Sequence, residues 1–117
     1  MKYMLMIFGQ DDWWDTATAE ELAASMEAHN AFAAYLQSRG GDISGEALHP
    51  SNTATTIRPA SDGDGFVVTD GPFVEMKEHL GGFYIIEAAD LDDAIEVAKK
   101  CPPDSGIEIR PVVDFSE

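Results

Sequence analysis

The chain has 117 residues, which suits one compact domain, and it carries 22 acidic against 7 basic side chains, for a net charge of −15. This charge repels phosphate backbones and anionic membranes, and so argues against nucleic-acid binding and membrane association. It allows a neutral or cationic small ligand, or a second copy of the chain, as the partner.

The cysteine content and the N-terminus indicate the compartment. Cys101 is the single cysteine, so an intrachain disulfide is excluded and the reducing cytoplasm is favoured. The apolar residues 1–8 are followed by a polar stretch without a cleavage site, so we do not expect a signal peptide. No apolar run approaches the roughly 20 residues that span a bilayer.

The first half of the chain predicts one strand and one long helix. Residues 3–8 form a continuous apolar run, which is typical of a buried central strand. Thr18 and Glu21 have the spacing of a capping box at the start of a helix. Apolar residues then recur every three or four positions as far as Leu36, and the glycines at 40–41 predict the end of the helix.

The second half predicts several strands and a shorter helix. Asp-Gly steps within residues 60–65 are typical of a hairpin turn. Asp90 is expected to cap the second helix, whose apolar face includes Leu91 and Ala94. β-Branched or apolar runs indicate strands at residues 43–48, 53–58, 66–69, 82–87 and 107–113.

The predicted order is β-α-β-β-β-α-β. Without its extra hairpin strand it is the ferredoxin-like β-α-β-β-α-β arrangement, an α+β fold with an antiparallel sheet and two helices on one face. In residues 3–8 and 82–87, the side chains that point to either face of the strand are mostly apolar, so both faces of these strands should be buried. Because two helices cover only one face, we expect the other to pack against a second copy, sheet to sheet, in a homodimer.

Residues 70–84 are the most distinctive stretch of the chain. They combine an Asp-Gly-Pro-Phe turn, a cluster of acidic and basic side chains, and a Gly-Gly pair between two strand-like runs. This pattern predicts an ordered polar loop on a rigid scaffold, where functional sites tend to lie.

The chain resembles the YCII-related family, in its branch named after the Asp-Gly-Pro-Phe motif. The matching segments are residues 1–7, 45–50, 70–78, 81–86, 94–98 and 107–111. The resemblance implies a single domain over residues 1–117 that forms a dimeric α+β barrel. It implies little about activity, because the family is mostly uncharacterised. The broader superfamily holds small enzymes acting on aromatic breakdown products, haem-degrading enzymes and non-catalytic members.

The active site proposed for the wider family is a histidine–aspartate pair. Its histidine lies on the first helix, where this chain has His29. Its aspartate lies just after the second helix, where this chain has Cys101 and Pro102, and Asp104 is displaced from that position. The resemblance therefore puts the acid of the pair in question, and Asp70 is the alternative that the sequence offers.

Three residues are candidates for acid–base catalysis, and each has a structural alternative. His29 lies on the apolar stripe of the helix and is either a proton-transferring group or a core histidine with one hydrogen bond. His49 is either an acid–base group or a structural loop residue. Asp70 is either a general base or the anchor of an Asx turn with the backbone of Gly71 or Phe73, and turn chemistry favours the second.

The candidate substrate-binding residues surround the same motif. A polar site mouth is one interpretation, with Lys77 holding an anionic group, and a solvated turn with weak surface ion pairs is the other. The candidate substrate-binding residues are Glu46, Arg58, Phe73, Glu75, Lys77 and Glu78.

Cys101 is either a nucleophile or a small buried hydrophobe.

Two functions remain open at this point. One is an enzyme-like protein that binds a small carbonyl or aromatic-derived compound in a cleft and uses histidine–aspartate chemistry. The other is a non-catalytic dimeric ligand-binding or regulatory module. We expect no cofactor and no metal site, since the sequence has neither a glycine-rich nucleotide fingerprint nor a metal-ligand spacing.

Overall fold

The computed structural model describes residues 1–116, which form six strands and three α-helices. A single 3-10 turn, Ser51–Thr53, lies between the second and third strands. In chain order the elements are β1 (Lys2–Gly9), α1 (Trp13–Thr16), α2 (Ala19–Arg39), β2 (Ser44–Ala47), β3 (Thr55–Pro59), β4 (Phe66–Asp70), β5 (His79–Glu87), α3 (Leu91–Ala98) and β6 (Gly106–Pro111).

Four strands form the main sheet, in the order β2-β5-β1-β6, and every neighbouring pair is antiparallel. β1 is hydrogen-bonded on both sides, which agrees with its prediction as a central strand. With α2 after β1 and α3 after β5, this order is the ferredoxin-like arrangement. The predicted α+β class with an antiparallel sheet is therefore confirmed.

Four strands lie between α2 and α3, one at each of the four segments predicted there, although the predicted order counted three. β3 and β4 pair with each other and form a two-stranded sheet that is separate from the main sheet. The predicted hairpin turn is present, with Gly63 at φ 82° and Gly65 at φ 78°. Such positive φ angles suit glycine, which explains why this turn could be located from the sequence.

The capping residues in the sequence correctly predicted where the two longer helices begin. The Thr18 hydroxyl accepts from the Glu21 backbone N–H, and the Glu21 carboxylate accepts from the Thr18 N–H, both at 3.1 Å. Asp90 accepts from the Asp93 backbone N–H at 2.8 Å and caps α3. α1 was not predicted, because four residues are too few to show helical periodicity.

The core lies between one face of the main sheet and the helices α2 and α3. Leu5 of β1 is fully buried there, beside Ile86 of β5 and Val97 of α3. From α2, Phe32 and Leu36 point into the same cluster. None of the helices within residues 1–116 has a run long and apolar enough to cross a membrane.

The opposite face of the sheet has no covering layer within residues 1–116. Its side chains are apolar but only partly buried: Met4, Met6, Phe8, Phe83 and Ile85. The molecule is 18 Å thick in its thinnest direction, which fits one sheet layer and one helix layer. Its radius of gyration, 16.7 Å, exceeds the roughly 13 Å of a compact chain this long. One face of these strands is thus buried as predicted, and the burial of the other face stays a prediction.

Substitution of a core leucine tests this packing. Leu5→Ala removes a side chain with 0% exposure and should lower the free energy of unfolding by about 2–5 kcal/mol, through lost burial and a residual cavity. Leu91→Ala is the matched control, because Leu91 is 51% exposed at the start of α3 and should change stability by about 0.5 kcal/mol or less. Urea unfolding measures both, and equal losses would contradict the assigned core.

Candidate functional site

A cavity of roughly 760 Å³ opens at one end of the main sheet, on the face that carries α2. Its walls come from the first half of α2, the paired ends of β2 and β5, and the segment that follows β1. A further part of the wall is the loop before β6, at Asp104 and Ser105. The cavity is large enough for a small organic ligand, since such pockets have volumes of about 300–1,000 Å³.

His29 is joined to Tyr84 at the helix wall of the cavity. The His29 Nδ1 atom and the Tyr84 hydroxyl are 2.9 Å apart, and the two rings are stacked with centroids 6.0 Å apart. Phe32 packs edge-on against Tyr84 at 5.0 Å, which fixes the phenol ring from the core side. With the proton on Nδ1, the imidazole donates to the phenol oxygen and its Nε2 is free to act as a base.

The surroundings favour the neutral form of His29. Burial lowers the pKa of its imidazole below the ordinary value, and the nearby Asp104 carboxylate opposes this by raising it. Burial also raises the pKa of the Tyr84 phenol, with a further contribution from Cys101, so the hydroxyl keeps its proton at neutral pH. A neutral imidazole beside a protonated phenol is suited to general acid–base chemistry.

Asp104 reaches this site through an uncommon backbone conformation. It has φ 48°, which is the only positive φ at a non-glycine residue in the described part of the chain. Aspartate tolerates this left-handed region better than most residues. Gly9 leaves room beside it, since a Cβ on Gly9 would lie 3.3 Å from the Asp104 Cβ.

A second histidine–carboxylate pair lines the same cavity. The Nε2 atom of His79 lies 3.6 Å from Oδ2 of Asp11. Asp11 is held in place by Ser51, whose backbone N–H donates to Oδ1 at 3.0 Å and whose hydroxyl donates to Oδ2. Burial raises the pKa of the Asp11 carboxyl, but the Ser51 hydrogen bonds and the His79 charge outweigh it, so the pKa lies below its ordinary value.

The remaining wall is largely apolar and aromatic. Trp13 and Trp14 stand edge to face, with ring centroids 5.2 Å apart, and both border the cavity. Leu22 and Met26 of α2 border it too. This wall suits the flat or aliphatic part of a ligand, while the polar groups described above fix its orientation.

The structure separates the residues proposed from the sequence into two groups. His29, His49 and Glu46 all line the cavity, and the last two are exposed. The others belong to the β3–β4 hairpin and the loop after it, and none of them lines the cavity: Arg58, Asp70, Phe73, Glu75, Lys77 and Glu78.

Arg58 and Phe73 fix the loop after the hairpin. The Arg58 guanidinium donates to the Phe73 carbonyl at 2.7 Å and lies 4.0 Å from the centre of the Phe73 ring. The Thr56 hydroxyl donates to the Gly71 carbonyl at 2.7 Å. Within residues 1–116 no hydrogen bond joins the Asp70 carboxylate to the backbone of Gly71 or Phe73, so the Asx turn considered from the sequence does not form. These contacts are structural.

Cys101 does not have the properties of a nucleophile. It is 3% exposed, and burial, with a contribution from Asp104, raises the pKa of its thiol to about 12. It therefore packs as a small hydrophobe, the second of the two interpretations. No three His, Cys, Asp or Glu side chains in the part of the chain that the structure describes are grouped so that they could hold a metal ion.

Four residues of the cavity were not identified as site residues from the sequence: Asp11, His79, Tyr84 and Asp104. Tyr84 carried a usable signal, because a tyrosine in an otherwise apolar strand needs a partner for its hydroxyl. Asp104 was noted only as displaced from the position that the resemblance indicates. Asp11 and His79 carried no signal, since their contacts are between segments far apart in the chain. Asp11, for example, pairs with residues 51 and 79.

Comparison with known proteins gives a family and one relative. Residues 1–116 match the YCII-related domain. An uncharacterized protein of Rhizobium meliloti (strain 1021) is 39% identical over 69 residues, which are 56% of this chain and 54% of that protein. The chain thus spans about half the length of that curated relative.

Titration of His29 tests the electrostatics of the cavity. Its pKa should lie below 6.5, because burial disfavours the charged ring. Asp104→Asn should lower this pKa further, since it removes a negative charge that stabilises the imidazolium, while asparagine still tolerates the positive φ. Asp92→Asn, on the exposed first turn of α3, is the matched control and should leave the His29 titration unchanged. NMR of the imidazole protons measures all three, and an unshifted His29 in Asp104→Asn would refute the coupling.

Proposed function

Because this chain belongs to the YCII-related family, whose domain matches residues 1–116, we propose that it is an enzyme-like protein of the Asp-Gly-Pro-Phe branch. It binds a small carbonyl or aromatic-derived compound in the cavity between the sheet and α2 and transfers protons to or from it. The motif at residues 70–73 supports the branch assignment. The single, buried Cys101 fits a reducing cytoplasm.

The observation that carries this proposal is the His29–Tyr84 pair in the wall of a ligand-sized cavity. A partly buried imidazole is more often neutral, and a neutral imidazole takes a proton from a ligand at physiological pH. Asp104 is the carboxylate that acts on His29, and it replaces Asp70 as the acid partner in this proposal. His49 and Glu46 stand at the exposed side of the same cavity, where they contact the polar end of the ligand.

A second copy of the chain covers the open sheet face in this proposal. The open face is apolar, the molecule has only two layers, and its radius of gyration is large for the chain length. The hairpin and its loop also expose large apolar side chains, such as Ile57, Phe66 and Phe73, at 60–70%. Contiguous exposed apolar surface of this kind marks an interaction site.

A non-catalytic, dimeric ligand-binding module is the second candidate. The Arg58–Phe73 contact favours it, because it gives the most distinctive motif of the chain a structural role. In that case the motif shapes the dimer, and the cavity binds a ligand without turning it over.

Ligand binding is tested by thermal unfolding with a panel of neutral carbonyl and aromatic compounds. A compound present at 100 times its Kd should stabilise the wild type by about 2.7 kcal/mol. His29→Gln should lose most of that stabilisation while keeping its own melting temperature close to wild type. Glu27→Gln, an exposed change two residues away on α2, is the control and should behave as wild type. If no compound in the panel stabilises the wild type, both functions lose their support.

The dimer is tested by light scattering at micromolar concentration. The wild type should have twice the 12.7 kDa mass of one chain. Met6→Lys places a charge on the open face and should give the single-chain mass, because an unpaired charge in an apolar interface is costly. Leu91→Lys, on the exposed start of α3, should remain dimeric. A wild type that is monomeric and fully folded would overturn the sheet-to-sheet dimer.

A further inference from the structure

Two of the three histidines that line the cavity come from a helix and a strand, and each has a different partner. His29 comes from α2 and contacts a phenol, while His79 comes from the start of β5 and faces a carboxylate. The proposed function uses the first and leaves the second without a role.

His79 is held in a way that suits proton transfer. Its side chain is 14% exposed and that of Asp11 is 31% exposed, so the pair is largely shielded but open to the cavity. The Asp11 carboxylate lies opposite the Nε2 atom of this imidazole, at 3.6 Å. The Nδ1 atom has no hydrogen-bond partner within residues 1–116 and is available to a ligand in the cavity.

The two walls therefore differ in the groups that surround their imidazoles. His29 is a partly buried ring next to a neutral phenol, which favours a free base. His79 faces a carboxylate whose two oxygens are held by Ser51. General acid–base catalysis uses two groups in this way, one that takes a proton and one that gives a proton.

We propose that His79, positioned by Asp11, is a second proton-transferring residue of this cavity, and that the ligand is a neutral carbonyl compound which the two histidines interconvert between its keto and enol forms. This inference rests on the proposed function, because it needs a carbonyl ligand beside His29.

The step balances without an oxidant, a reductant or a co-reactant. His29 Nε2 takes the proton from the carbon next to the carbonyl group, and the C–H electron pair becomes the carbon–carbon double bond. The carbonyl π pair moves to the oxygen, which receives the proton of His79. The enol is formed, His29 is left protonated and His79 neutral, and proton exchange with water restores both.

The charge and the wall chemistry select the ligand class. A net charge of −15 disfavours an anionic ligand, and Trp13, Trp14 and Met26 offer contacts to an aromatic or aliphatic group. A neutral aromatic 1,3-diketone such as benzoylacetone has the carbonyl group, the acidic C–H and the ring that these walls accommodate.

The test uses the full chain with benzoylacetone, whose keto–enol interconversion is followed by the ultraviolet absorbance of the enol. The wild type should accelerate the interconversion. His79→Gln and His29→Gln should each lower kcat by at least about 100-fold, the usual contribution of one acid–base group. Asp11→Asn should lower kcat with little change in KM, because Asp11 positions His79 and does not touch the ligand.

Two controls separate catalysis from folding. Asp12→Asn changes the neighbouring exposed aspartate, which makes no side-chain cap, and should have wild-type kcat. Ser51→Ala keeps His79, Asp11 and the backbone N–H bond to Asp11, and should lower kcat less than tenfold even if it lowers the melting temperature. Equal losses in Ser51→Ala and His79→Gln would show that the cluster only holds the loops together, and would overturn the inference.

The result also distinguishes the two proposals. If His29→Gln abolishes turnover and His79→Gln does not, the proton-transferring role of His79 is refuted and the proposed function stands. If the wild type binds benzoylacetone, as seen by thermal shift, without accelerating its interconversion, the keto–enol inference fails and ligand binding remains. If it neither binds nor accelerates, the inference is overturned together with its ligand class.

Discussion

The antiparallel pairing of β1 with both β5 and β6 is the constraint on which the site depends. The register places Gly9 opposite His79 on one side and Phe8 opposite Gly106 on the other. The end of β1 therefore brings together a histidine from β5, the loop before β6, and Asp11 two residues beyond the strand. A shift of the register by one residue would turn these side chains to the opposite face.

The packing of α2 against the main sheet positions the other wall of the cavity. Phe32 and Leu36 are buried against the sheet, and His29 lies one turn before Phe32 on the same side of the helix. His29 thus reaches the sheet where the core ends and the cavity begins. Tyr84 belongs to both regions, because its ring packs on Phe32 and its hydroxyl contacts His29. Substitutions that loosen this packing should change the cavity before they unfold the chain.

The sequence predicted what is decided locally. The capping pairs of α2 and α3, the glycine turn of the hairpin and the two-sided apolar strands all depend on residues close together in the chain, and the structure has them. The separation of the β3–β4 hairpin from the main sheet is not encoded by a local pattern. The contacts of Asp11, which join residues 11, 51 and 79, likewise depend on segments far apart in the chain. His29 could be proposed from its place on a helix, whereas the groups around it could not.

Asp104 shows how a carboxylate can act on His29 from a distant part of the chain. Where the family resemblance expects an aspartate this chain has Cys101, which is buried and whose thiol pKa is raised to about 12, so it cannot exchange protons at neutral pH. Asp104 follows three residues later, and its positive φ lies in a turn that leads into β6. The turn brings the carboxylate back to the cavity beside Gly9, where its charge acts on His29. A search for an aspartate at the position that the resemblance indicates would miss this carboxylate, because it lies three residues further along the chain.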